Sequence, residues 1–247
     1  MTSELVRYRR EGNVALLTLD DGKRNALAPA MLDAIYAALS RAEKEQVGVV
    51  LTGREQTFSA GFDLKVLRSG STATIRMLRG GYGLTARLLS FPFPVVCAVN
   101  GHALAMGAFI ALSCDYRLGV EGDFKYAANE VALGLTMPRV GAEVLKLRLT
   151  PAAYQRATVL AEVFDPKGAC EAGFVDRLVN ASELDAEALR VASELMKLDA
   201  VAHRATKLRI RAEAISHIES GIFADLRDAA VFGARQLIAA KLKRSNR

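Results

Sequence analysis

The chain has 247 residues, 51% hydrophobic and 24% charged, with a formal net charge of +6. That balance excludes a largely disordered chain, which needs low hydrophobicity and high net charge, and the length suits one large domain or a domain with a small appendage. Three widely spaced cysteines, Cys97, Cys114 and Cys170, exclude a disulfide framework and point to reduced, buried thiols.

In chain order, Leu5 to Arg10 and Val14 to Leu19 read as two strands joined by a hairpin turn at Glu11, Gly12 and Asn13. The first residues hold no apolar core between a basic start and a cleavage site, so a cytoplasmic protein is expected. Pro29 suits the first turn of a helix, and Met31, Leu32, Ile35, Ala38 and Leu39 recur at helical spacing, which carries that helix to about Lys44. Val47 to Thr52 reads as a buried strand and Gly53 to Asp63 as a loop. A helix follows over Thr74 to Leu89, with Gly80, Gly81 and Gly83 read as local flexibility. Val95 to Val99 is a strand, Ala105 to Cys114 a helix and Tyr116 to Val120 a strand.

Further on, Thr150-Pro151 and Asp165-Pro166 each start a helix with a capping side chain before a proline. Gly173 suits the stop of the second. Asp185 to Leu198, Val201 to Ala214 and Phe223 to Lys243 are helical candidates. The pattern is an α/β core over residues 1–185 and a helical region over 186–247. The helical region is rich in Ala, Leu and Ile, and it must bury that surface on the core or on another subunit.

Leu88 to Cys114 runs for 27 residues without Lys, Arg, Asp or Glu, long enough to span a bilayer. Pro92, Pro94 and the turn signal Asn100-Gly101 interrupt it, so a buried strand, a turn and a buried helix are expected instead of a membrane span. Residues 201–247 hold 10 basic and 4 acidic side chains and carry the whole positive excess. Such a segment either attracts phosphates or is a solvated helix face. There is no CxxC, and His102, His203 and His217 do not cluster, so no metal site is expected.

Three segments stand out chemically. Phe58 to Leu64 follows a strand and is rich in small residues, which let backbone N–H groups approach a ligand closely; an ordinary strand-to-helix loop has the same look. Val99 to Ala108 is a strand, a turn and a helix opening near Met106 and Gly107. The first N–H groups of a helix lack internal partners and favour an oxygen anion. The six-residue spacing of Gly101 and Gly107 matches neither a dinucleotide fingerprint nor a P-loop. Glu130 lies in the mostly apolar stretch Tyr126 to Leu135. Either it faces water at a bend, or its apolar surroundings raise its pKa toward neutrality and fit it to move protons.

These segments, in this order, resemble the crotonase superfamily, the enoyl-CoA hydratase and isomerase group. The likeness rests on SAGFDLK (Ser59–Lys65), PVVCAVNGHALAMGAFIALSCDYRL (Pro94–Leu118), NEVALGL (Asn129–Leu135) and Phe164–Val179. It implies an α/β fold, a spiral of ββα units followed by a helical trimerisation region. It implies a coenzyme A thioester as substrate, no permanently bound cofactor, and a homotrimer or dimer of trimers. By match to the motifs, the N–H groups of Phe62 and Met106 hold the thioester oxygen. The backbone of Ala60, Gly61, Asp63 and Leu64 meets the coenzyme, with Arg24, Ala26 and Lys65 beside them and Gly107 and Phe109 along the acyl path.

One departure narrows the chemistry. Hydratases of the superfamily place two glutamates around the double bond. Here Phe109 stands at the first position and Glu130 alone remains, as in the superfamily's enoyl-CoA isomerases. The resemblance thus implies a shift of the double bond from position 3 to 2, with Glu130 as proton shuttle. Hydration using another group, with Asp63 and Glu143 as candidates, stays open. So does a non-catalytic acyl-CoA binder. RNA binding through Lys241, Lys243, Arg244 and Arg247 is not expected, because no aromatic platform accompanies them.

Overall fold

The computed structural model describes residues 4–245, and side chains as far as residue 231. Its main sheet has six strands in the order β1 (Val6–Glu11), β2 (Val14–Leu19), β3 (Gly48–Thr52), β5 (Val95–Val99), β7 (Tyr116–Val120) and β9 (Arg177–Val179). The β1–β2 pair is antiparallel, and every later pairing is parallel. Parallel sheets are covered on both faces, which explains the unbroken apolar runs of β3 and β5. Leu17, Val49, Leu51, Cys97 and Val99 face the large core. Leu16, Val50, Val96, Ala98 and Leu118 face Leu184, Ala188 and Ala192 of helix α8 (Leu184–Leu195).

A second, three-stranded parallel sheet joins β4 (Gln56–Ser59), β6 (Gly101–Leu104) and β8 (Tyr126–Ala127). Three times the chain leaves the main sheet, adds one strand to this small sheet and enters a helical segment. After β3 and β4 come α2 (Leu64–Ser69) and α3 (Thr72–Leu89); after β5 and β6 comes α4 (Met106–Leu112). After β7 and β8 come a short 3-10 turn (Val131–Leu133) and α5 (Arg139–Arg148). This is a spiral of ββα units. The ends of β4, β6 and β8 therefore lie side by side, at the carboxyl edge of a parallel sheet, where ligands bind in many α/β proteins.

Helix α1 (Pro29–Lys44) lies where the apolar spacing places it, while α6 (Pro151–Val159) and α7 (Pro166–Ala172) start at their Thr-Pro and Asp-Pro signals. The caps are real: Thr150 Oγ1 accepts from Ala153 N, and Asp165 Oδ1 from Gly168 N at 2.7 Å. Four expectations need correction. The loop expected over 53–63 contains β4, and β6 follows Asn100 directly. The Asn100 amide makes the switch between sheets, accepting from Gly53 N at 3.1 Å and donating to Gly53 O at 3.0 Å. Helix α5 was not expected at all, because its capping group comes from elsewhere in the chain. The helices expected over 201–214 and 223–243 are one continuous helix, α9 (Ala200–Ser245).

Helix α9 is anchored near its start by a buried cluster. Lys207 Nζ donates to Asp115 Oδ2 at 2.7 Å and Arg211 donates to Asp115 Oδ1 at 2.8 Å. Its middle crosses α3 and α5, and Phe223 remains 78% exposed. The basic residues Lys241, Lys243, Arg244 and Arg247 lie outside the described side chains. Among the described residues no helix is long and apolar enough to cross a membrane, and no His, Cys, Asp and Glu cluster fits a metal. Cys97 and Cys114 are buried and free, and Cys170 is free and partly buried.

Candidate active site

The loops after β4 and β6 meet backbone to backbone. Gly61 has φ +85°, and a Cβ there would stand 2.9 Å from Leu104 O and 3.3 Å from Met106 N. A Cβ on Gly107 would in turn reach Ser59 O at 2.6 Å. Side chains at either position would push the two loops apart. The early loop closes the third side: Leu27 N donates to Gly61 O at 2.9 Å, and Ala60 N to Arg24 O at 3.0 Å. Asn25, fully buried, fastens that loop by donating to Leu19 O and Phe58 O.

Ala105 has φ +49° and ψ −125°, a conformation that L-residues rarely adopt and that costs about 1–3 kcal/mol. It turns the chain sharply from β6 into α4, so that Met106 opens the helix. Among the described residues, neither the Met106 N–H nor the Phe62 N–H donates a hydrogen bond. Two unpaired donors therefore sit on adjoining loops, and both loops are rigidly buttressed.

The Phe62 ring meets Tyr82 of α3 edge-on, with centroids 5.7 Å apart. A Cβ on Gly81 would overlap that ring and approach the Met106 side chain at 3.6 Å. The Gly80–Gly83 stretch is thus a packing surface and not a flexible point, since it lies within one unbroken helix and makes room for its neighbours. Sequence reasoning missed Tyr82; the glycines around it were the available signal. A groove of about 580 Å³ on another flank of α3, lined by Leu32, Tyr36, Ile75 and Ile222, does not reach Glu130.

The third loop carries Glu130, which caps the 3-10 turn and is only 8% exposed. Its Oε2 has no hydrogen-bond partner among the described residues, nor has Asn129 Oδ1. Burial lifts its pKa to about 7, against a small opposing pull from its own backbone N–H. Tyr82 is held protonated by burial first, then by the negative fields of Asp225 and Glu130. The residues around Glu130 are open: Val131 is 43% and Leu133 52% exposed.

Phe109, on α4, is buried with its ring against Gly141 of α5, where a Cβ would come within 2.7 Å. It fills the space between two helices and brings no charge. Arg24, Leu64 and Lys65 are exposed at the rim, and Ala26 is half-buried beside them. The Asp63 side chain has a structural task. Its carboxylate caps α2, accepting from Lys65 N at 2.7 Å and Val66 N at 3.1 Å. Glu143 turns toward α9, with Oε2 3.5 Å from His217 Nδ1.

A family model described as enoyl-CoA hydratase/isomerase matches residues 9–234. Carnitinyl-CoA dehydratase of Salmonella typhi is 29% identical over 222 residues, covering 89% of this chain and 85% of that protein. A protein from Mycobacterium tuberculosis, described for one structure as an enoyl-CoA isomerase and for another as a probable enoyl-CoA hydratase, is 45% identical, with a TM-score of 0.86 over 90% of this chain and 97% of that one in the first. Human mitochondrial delta3-delta2-enoyl-CoA isomerase is 26% identical, with a TM-score of 0.89 over 98% of this chain and 99% of that one. With the family model matching most of its length and its ββα spiral matched over nearly the whole chain, the chain belongs to the enoyl-CoA hydratase/isomerase family, within the crotonase superfamily of acyl-CoA enzymes.

Proposed function

We propose that this chain is an enoyl-CoA isomerase that moves a double bond from C3=C4 to C2=C3. The observation that carries the reading is the lone carboxylate: Glu130 is buried with a pKa near 7, and Phe109, which the motif match sets at the position of the hydratases' other glutamate, is uncharged. The Glu130 carboxylate takes a proton from C2 of the 3-enoyl thioester. The electron pair spreads over a dienolate whose charge rests on the thioester oxygen. The N–H groups of Phe62 and Met106 receive that charge in a water-poor site, and one such donor is worth roughly 3–4 kcal/mol of barrier. Glu130 then returns the proton to C4, so one group acts as base and then as acid. A pKa near the working pH suits both steps. The human isomerase named above supports the reading, as does the motif match. Arg24 and Lys65, both exposed, are the proposed contacts to the phosphates of the coenzyme.

Hydration is the second reading, favoured by the named dehydratase relative. It needs a second group to position and deprotonate water, and Asp63, the motif-borne candidate, is committed to a helix cap. The test is turnover of 3-hexenoyl-CoA and crotonyl-CoA side by side. Isomerisation dominates in the wild type, and Glu130→Gln lowers its kcat by about 10²–10⁴-fold. Efficient hydration of crotonyl-CoA, or a Glu130→Gln variant with normal isomerase turnover, overturns the proposal.

A further inference from the structure

Helix α5 begins where the Glu130 loop ends. Its first two N–H groups have no local acceptor, and one carboxylate from α9 takes both. Asp225 Oδ1 accepts from Arg139 N at 3.0 Å, and Oδ2 accepts from Val140 N at 3.1 Å. The Arg139 guanidinium folds back onto Asp225 Oδ1 at 2.9 Å and onto Asp228 Oδ2 at 2.7 Å. Asp225 is 4% exposed, so this is a buried cap supplied across the fold.

Met137 packs the loop against the core, and its remaining ties are hydrogen bonds. Among the described residues, the hydrogen bonds of segment 129–138 are internal or run into α5: Leu133 N and Leu135 N donate to Glu130 O, Gly134 N to Val131 O, and Ala142 N to Pro138 O. Upstream the chain is tied by Ala105 N to Ala127 O at 2.8 Å. Downstream the tie is the Asp225 cap. We propose that Asp225 is a positioning residue for Glu130: by capping α5 from the C-terminal helix it fixes the far end of the loop and keeps the carboxylate out of water. The inference rests on the reading of Glu130 as the proton shuttle. Tyr82 supports it, because that hydroxyl lies within the electrostatic reach of both carboxylates. Around the loop, α3 presents Tyr82, α4 the uncharged Phe109, α5 Arg139 and Glu143, and α9 Asp225, Asp228 and His217.

The experiment uses the full chain with Asp225→Ala and Asp225→Asn, the latter keeping one side-chain acceptor where the former fails to fold. Amide hydrogen exchange over residues 129–140 reads the latch without reference to any reaction. Kinetics on 3-hexenoyl-CoA read its consequence. In Asp225→Ala the segment loses protection and kcat falls about ten- to a hundredfold, the size of effect a misplaced catalytic group produces. KM stays close to the wild-type value, because the 24–26 and 60–65 loops are untouched. The acid limb of the kcat/KM profile, which reports the free enzyme, moves from about 7 toward the ordinary carboxylate range as water reaches Glu130, a shift that general destabilisation does not produce. Asp225→Asn gives a smaller change in the same direction. Unchanged exchange in both variants overturns the latch. Faster exchange with an unmoved kcat and acid limb overturns the positioning role. Normal turnover in Glu130→Gln instead removes the reading of Glu130, and the exchange result still judges the latch separately.

Discussion

The loops at 59–62 and 105–107 press on each other through Gly61 and Gly107, with Asn25 buried behind them and α3 closing over the Phe62 ring. The loop at 129–138 exposes Val131 and Leu133 and is held at its two ends, one of them by a side chain from α9. The first region presents backbone N–H groups, which act by staying still. The second presents a carboxylate that, in the proposed reaction, holds and releases a proton. Preorganised dipoles stabilise developing charge without moving, so close packing suits them. A proton shuttle needs a raised pKa, which burial supplies at a cost in stability.

That cost gives the largest expected effect on folding. Glu130 has a folded pKa of about 7 against its usual 4.5. A carboxylate raised in this way contributes stability below its unfolded pKa and loses it as pH rises through the folded one. Glu130→Gln is therefore neutral below pH 4.5 and stabilising above pH 7. The gain there is about 3 kcal/mol, from about 1.4 kcal/mol per pKa unit. Urea unfolding of both proteins across this pH range measures it. A Glu130→Gln variant no more stable than the wild type at pH 8 shows that the loop already admits water.

Rigidity of the backbone half is tested next. Gly81→Ala drives a methyl into the Phe62 ring and displaces its N–H, and it lowers kcat about tenfold. Gly83→Ala, where a Cβ would meet only the Tyr36 hydroxyl at 3.1 Å, leaves kcat unchanged. Equal kinetics in the two variants would mean that Phe62 adapts and the cradle is softer than its packing suggests. The smallest effect belongs to the rim. Lys65→Ala raises KM for an acyl-CoA by up to about fivefold, since an exposed charge pair is worth up to about 1 kcal/mol. The difference shrinks as salt is added, and a salt-independent change would assign Lys65 a packing role.

Strands β2, β5 and β7, helix α1 and the starts of α6 and α7 were legible because their signals are local: runs of β-branched residues, apolar spacing of three and four, a capping side chain before proline. Glu130 was legible as a carboxylate among apolar neighbours. β4 and β6 were not, because each is short and exists only by pairing with its neighbours in the small sheet. Helix α5 was hidden for a related reason. Its cap is Asp225, and no inspection of residues near Pro138 reveals it. The Gly80–Gly83 run carried a signal, but its meaning depended on which ring lies against it. The cap that the Asp63 carboxylate places on α2 is local, since its two backbone partners are three residues away or fewer.

The amino-acid sequence by itself determined the α/β class, the family likeness and the identity of the lone carboxylate, since composition, periodicity and motif order are properties of the chain. Tertiary structure decided how these residues act. Unpaired N–H groups become a cradle only when two loops touch, and a glutamate acquires a pKa near 7 only when neighbours exclude water. Both depend on contacts between residues far apart in the chain, and so does the hold of α9 on the loop that carries Glu130.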